Sequence, residues 1–235
     1  MKMKKTSQVF LLGIVLLLIS TACTAISQLP LPSRKDLEDR FDKLGDIYPT
    51  KNFEDLYDKF PNGFKIDDYY YEYHGDIVHV YNVRIEGDSI NRTFSGTVEL
   101  EIEKIEPLET ISISTYEITN IVNNRVEITA DEELKKKVND LEFLFLHFTL
   151  NQEKLATLPF DSKFESPVSR DTMLTYSIND DYINQYFNVN EKEIDKVRLL
   201  LQGQQSSLRK DQYYSSISLG IRGEKAMLLE RIEGW

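Results

Sequence analysis

Between Tyr69 and Ile128 apolar and polar side chains alternate with a period of two, a rhythm that fits a strand and not a helix. The cleanest stretch is Thr93 to Glu103. Phe94, Gly96, Val98, Leu100 and Ile102 fall on one side, and Thr93, Ser95, Thr97, Glu99, Glu101 and Glu103 on the other. A strand divided in this way buries one face and wets the other, as antiparallel sheets do. Around it, Tyr69 to Tyr73 and Ile77 to Glu86 flank Gly75-Asp76, and Gly87-Asp88 reads as a further turn. Ile111 to Thr119 and Arg125 to Ile128 continue the meander around Asn123-Asn124.

Helical signals bracket this region. Ser33 with Asp36 three residues on predicts a helix start, with Leu37, Phe41 and Leu44 on one face and Gly45 at its end. Asn52 opens a second short helix burying Phe53, Leu56, Tyr57 and Phe60, stopped by Pro61-Asn62-Gly63. Thr129 and Glu132 form another capping pair. Leu134, Val138, Leu141, Phe145 and Phe148 then recur at helical spacing and predict the main helix. Asn179 or Asp180 caps a short helix carrying Ile183 and Phe187. Strands are expected at Val197 to Leu201, Tyr213 to Ile221 and Ala226 to Ile232. The order gives an α+β fold: an antiparallel β-sheet meander with short N-terminal helices and one main helix packed on the sheet. Residues 34–235 are read as one domain, with a break near Asn151 as the alternative.

The N-terminus has a different logic. Met1 to Gln8 is basic, Val9 to Ile19 is an unbroken apolar run, and Ser20-Thr21-Ala22 leads into Cys23. This is the three-part pattern of a secretory signal, and its apolar core is too short to span a bilayer, which takes ~20 residues. Residues 1–22 are therefore expected to be removed. The Cys23 thiol is expected to carry a diacylglyceryl group and its freed amine a further acyl chain such as palmitate. Ser20 stands where lipoprotein signals usually have Leu. The alternative is an uncleaved N-terminal anchor. Two or three chains at roughly 0.8 kcal/mol per buried CH₂ hold a protein firmly, whereas one is marginal. Residues 23–33, with Pro30 and Pro32, read as a lipidated extended tether.

Charge sets the partners. Of 28 Lys and Arg residues, Lys2, Lys4 and Lys5 precede Cys23, while all 39 acids follow it, so the mature chain has 25 basic against 39 acidic residues, a net of −14. Such a surface repels nucleic acid and anionic headgroups, so attachment to the bacterial membrane falls to the acyl chains. One cysteine allows no intrachain disulfide and no thiolate metal site.

No catalytic centre is legible. His74 and His79 are five apart, which on a regular strand puts them on opposite faces, so no metal site and no cofactor is expected. His147 is expected in the core or at its boundary. Asp67-Asp68 and Asp180-Asp181 lack the alternating ligands and glycine of a calcium loop and read as turn and helix-cap acids. Lys135-Lys136-Lys137 reads as the solvated face of the main helix. Tyr69, Tyr70, Tyr71 and Tyr73 are the candidate binding residues, because consecutive strand tyrosines put rings on both faces and an exposed ring can anchor a partner. Ordinary strand propensity and core packing are the favoured account of the run, ahead of a binding role.

Gly45-Asp-Ile-Tyr-Pro-Thr-Lys-Asn-Phe-Glu-Asp-Leu-Tyr-Asp-Lys59 resembles the LDIYPIKNLEDLYDK segment of the staphylococcal tandem lipoproteins. Asp131 to Phe143, Tyr176 to Tyr182 and Val197 to Gly203 are similar to later blocks of that family, in the same order. The chain departs from it at Tyr69 to Val83, where the family often carries a Gly-rich stretch with Trp, and at its end. The resemblance implies a lipid-anchored protein on the outer face of a Gram-positive cell membrane, one of an array of paralogues. It also implies an acylated N-terminus sensed by host innate receptors, adhesion to or invasion of host cells, and no established enzyme activity. Cys23 is the one functional residue it carries over. The expectation is a non-enzymatic surface lipoprotein acting in host interaction through host receptors or cell-surface proteins. The alternative is a lipoprotein binding a wall fragment, a peptide or another small molecule. A wall hydrolase ranks last.

Overall fold

A computed structural model describes residues 32–166, 171–189, 196–203, 214–222 and 225–235. The expected signal, Cys23 and most of the expected tether lie outside them. In chain order the elements are α1 (Arg34–Glu38), a 3-10 turn (Asp39–Phe41), α2 (Leu44–Ile47), α3 (Asp55–Lys59), β1 (Phe64–His74), β2 (Ile77–Asp88), β3 (Thr93–Lys104), β4 (Glu109–Val122) and β5 (Arg125–Ile128). Then come α4 (Glu132–Asp140), α5 (Leu144–His147), α6 (Gln152–Thr157), β6 (Phe160–Glu165), β7 (Thr172–Ser177), α7 (Asp181–Tyr186), β8 (Arg198–Gly203), β9 (Tyr214–Arg222) and β10 (Ala226–Gly234).

All ten strands form one antiparallel sheet in the order β5-β4-β3-β2-β1-β10-β9-β8-β7-β6. Two meanders thus meet along one seam, where β1 pairs β10 from Phe64↔Gly234 to Glu72↔Ala226. Leu37–Trp235 form one compact unit carrying the whole sheet. In the separate unit Met1–Asp36, Ser33 and Asp36 cap each other as expected: Asp36 N–H donates to Ser33 Oγ (3.1 Å) and Ser33 N–H to Asp36 Oδ2 (2.8 Å).

The strand registers put Phe64, Ile66, Val83, Ile85, Val98, Leu228 and Ile232 on one face, all buried together with the helix residues Leu37, Phe41, Leu44, Phe53, Leu56, Tyr57 and Phe60. Each such side chain contributes about 1.5–3 kcal/mol on leaving water. Phe53 centres the packing, edge-on to Phe94, Phe143 and Phe145 at 5.9, 5.0 and 5.1 Å. Arg40 ties the 3-10 turn to the far strands through Glu165 (2.9 Å) and Thr172 Oγ1 (2.6 Å).

The α+β class and the antiparallel meander hold, and several details are corrected. Gly45 lies inside α2, not at a helix end. Gly87 and Asp88 belong to β2; a Cβ on Gly87 would lie 2.3 Å from the Phe64 ring, so glycine stands there to admit that ring. The turn itself is at residues 89–92, where Asp88 Oδ1 accepts from the N–H groups of Ile90 and Asn91. Asp131, not Thr129, caps α4, its Oδ1 accepting from Leu134 N–H at 2.9 Å.

The single main helix is absent. The apolar period runs on, but the helix stops at Asp140 and resumes as α5. Phe143, Leu144, Phe145 and Leu146 are all buried, so this stretch has no wet face. Its backbone is held from outside: Phe145 N–H donates to Glu230 Oε1 (3.0 Å), and its carbonyl accepts from Thr50 N–H. Helix α6 and strands β6 and β7 were not foreseen. Asp180 is the cap of α7, accepting from Tyr182 and Ile183 N–H.

Candidate functional site

The site lies where the β1–β2 hairpin meets α4. The hairpin turns at Gly75, whose φ of 67° suits glycine, and Asp76. Its register pairs Glu72 with His79 and His74 with Ile77, so all four share the face on which the helices pack. The parity argument that separated His74 from His79 therefore fails. It holds along one strand, but a turn falls between these residues and the partner strand returns them to the same side. The two rings lie 5.0 Å apart at 57°. His74 Nε2 is 3.8 Å from Glu72 Oε2. One ligand atom from each of Glu72, His74 and His79 can be chosen so that all lie within 4.8 Å of one another.

Helix α4 forms the opposite wall. Lys137 reaches back to bond Glu72 Oε1, and its ammonium sits over the rings of Tyr70 (5.3 Å) and Tyr81 (5.5 Å). Lys137 is thus committed to the cleft rather than solvated, while Lys135 pairs with Glu132 at 2.8 Å. Burial, with the Glu72 charge adding to it, pushes the Tyr70 and Tyr81 phenols up to about 12, so both stay neutral donors near neutral pH. Between the walls is a cleft of about 570 Å³, also lined by Leu100, Tyr116, Asp131, Glu133 and Asp140. It is mixed in character, with a cationic centre and an acidic rim.

The candidate tyrosines divide between the two faces, and none of the four lines this cleft. Tyr70 packs inward against Tyr81, Tyr186 and Phe187 at 6.4, 5.9 and 6.4 Å. Tyr69 and Tyr71 stack on the reverse face, 6.5 Å apart, with Tyr73 next on the same side and Val78, Val80, Met227 and Leu229 across the strands. Asp67, also on that side, is held by Lys65 (2.7 Å) and Arg84 (2.9 Å). His147 is exposed, contrary to expectation, with its ring 5.6 Å from Tyr182.

A second polar cluster was missed. Asp68 and Glu230 face each other directly across the β1–β10 seam, 3% and 0% exposed. They are strand-centre acids, so the expectation of a turn at Asp67-Asp68 is corrected. Burial raises both, Glu230 to about 8, and its charge raises Asp68 further. Among the described residues neither Asp68 Oδ1 nor Glu230 Oε2 has a hydrogen-bond partner. Paired carboxylates suit acid–base chemistry, but these are sealed from any substrate and act on the fold. The detectable signal was an acid at an inward position of the alternation Ala226, Leu228, Glu230, Ile232.

Among the described residues no helix is long and apolar enough to cross a membrane. Compared with protein-family models and with curated proteins, the chain matches none.

Proposed function

We propose that this chain is a non-enzymatic surface lipoprotein of the kind it resembles, the staphylococcal tandem lipoproteins, held on the outer face of the cell membrane by acyl chains on Cys23. The observation that carries the reading is an apolar run of export length, Val9 to Ile19, followed by the small residues Ser20-Thr21-Ala22 and then the sole cysteine, Cys23. A net charge of −11 over the whole chain gives no basic patch to hold an anionic membrane surface, which leaves that role to acyl chains in this reading. Host interaction then has two parts: the acylated N-terminus stimulates innate receptors, and the folded unit offers an adhesive surface. The stripe of Tyr69, Tyr71 and Tyr73 supports the second part, since half-buried aromatics on a sheet face present rigid contact area at little entropic cost. Cys23→Ala tests the reading by cell fractionation and a receptor reporter assay. Release from membranes with loss of signalling is expected; retention with undiminished signalling refutes it.

A second reading, a lipoprotein that binds a small molecule or peptide, is favoured by the cleft of about 570 Å³, a volume within the range of ligand sites. Its aromatic lining is Tyr81 and Tyr116 rather than the Tyr69 to Tyr73 run. A thermal-shift screen of ligands against the protein distinguishes the two, because a ligand that binds the folded state raises its melting temperature.

A further inference from the structure

We infer that Glu72, His74 and His79 form a binding site for a divalent late first-row transition ion, with zinc as its representative, at the mouth of the α4 cleft. Two imidazoles and one carboxylate are a ligand set such ions favour, whereas calcium and magnesium prefer oxygen alone. The placement is built into the hairpin: Glu72 and His79 are direct cross-strand partners, and His74, two residues along the strand from Glu72, is diagonal to His79 on the same face. Bonds of about 2.0–2.1 Å put tetrahedral ligand atoms about 3.4 Å apart. The His74 Nε2 to Glu72 Oε2 separation is 3.8 Å and the whole set fits within 4.8 Å, roughly an ångström beyond the ligated spacing.

The surroundings fit an ion that enters from solvent. The His74 side chain is 57% exposed and that of Glu72 24%. Lys137 holds Glu72 through Oε1, leaving Oε2 toward His74, much as outer partners orient metal-binding carboxylates elsewhere. Three protein ligands would leave a fourth position for water or another ligand, the composition of an open site rather than a closed structural one. This inference is independent of lipid anchoring; its failure would leave the role of Cys23 untouched.

The test is calorimetric titration of the full chain in detergent, stripped of metal by chelator, with Zn²⁺ and with Ca²⁺, alongside NMR of the imidazole signals. One equivalent of Zn²⁺ is expected to bind and to shift the signals of His74 and His79. His74→Ala and His79→Ala should each weaken binding about tenfold or more, as removing a ligand costs at least what removing its supporting partner does. His147→Ala should bind as the unaltered protein does, and Ca²⁺ should leave the imidazole signals in place. His74 is exposed beside the turn, so its replacement reports on binding rather than folding. The absence of saturable binding overturns the inference, as does Zn²⁺ affinity unchanged in both the His74 and His79 variants.

Discussion

Replacing Glu230 by Gln should flatten the pH dependence of stability. Glu230 is fully buried against Asp68, with Phe145 N–H on Oε1, and burial lifts its carboxyl from 4.5 to about 8. A raised folded-state value means the native protein binds this proton more tightly than the unfolded chain. Below about pH 4.5 both states hold it and nothing is lost. Between there and about pH 8 the unfolded chain releases it and the native state does not, so stability falls by up to ~1.4 kcal/mol per pH unit. From pH 5 to pH 8 that amounts to about 4 kcal/mol at most, a ceiling because Asp68 shares the site and relaxing one charge eases the other. Gln keeps an oxygen for Phe145 N–H and turns an amide donor toward Asp68. Urea unfolding of both proteins at pH 5 and pH 8 provides the measurement. Titrating groups away from the seam act alike in both, so the difference reports on Glu230 together with its partner Asp68. The variant should gain on the unaltered protein as pH rises, by one to a few kcal/mol. Equal losses in the two proteins would refute the argument that this carboxyl is held protonated by burial.

Gly87→Ala should destabilise by about 1–3 kcal/mol, the usual cost of overpacking, because the new methyl meets the Phe64 ring. Combining it with Phe64→Leu should cost less than the sum of the two changes, read by thermal melts. Asp131→Ala should cost about 1 kcal/mol as a lost helix cap. Thr129→Ala should fall within about 0.5 kcal/mol of the unaltered protein, and the reverse order would return the cap to Thr129. Mass spectrometry of the native N-terminal peptide should show a chain beginning at Cys23 and carrying acyl groups; an unmodified thiol behind Met1 would exclude the anchor.

The strands of the first meander were legible because a period of two reports the two faces of a sheet directly, and Gly75-Asp76 and Asn123-Asn124 turn where they stand. The histidine pair was misjudged although its solution was present: the same Gly75-Asp76 turn lies between His74 and His79. The main helix was overextended because helical spacing was followed past Leu141 into Phe143 to Leu146, where four consecutive buried residues leave no amphipathic face. Strands β6 and β7 escaped because their alternation is weak, with Phe164 and Met173 exposed at the sheet's end. The Asp68–Glu230 pair joins distant parts of the chain, and no local pattern reports which strand lies beside which. Cys23 lies outside the described residues, so the anchoring expectation rests on chemistry rather than on the fold.

The seam between β1 and β10 also shapes how the protein comes into being. Within each meander most strands pair with their immediate predecessor, whereas the seam joins residues as far apart as 64 and 234. Closing so long a loop costs more entropy than closing a hairpin, so the hairpins are expected to form before the halves join. Until then each half carries a raw edge of unpaired amides and carbonyls, and a chain emerging amino end first holds the β1 edge open longest. A nascent molecule is therefore most open to mispairing with its neighbours just before its final strand arrives.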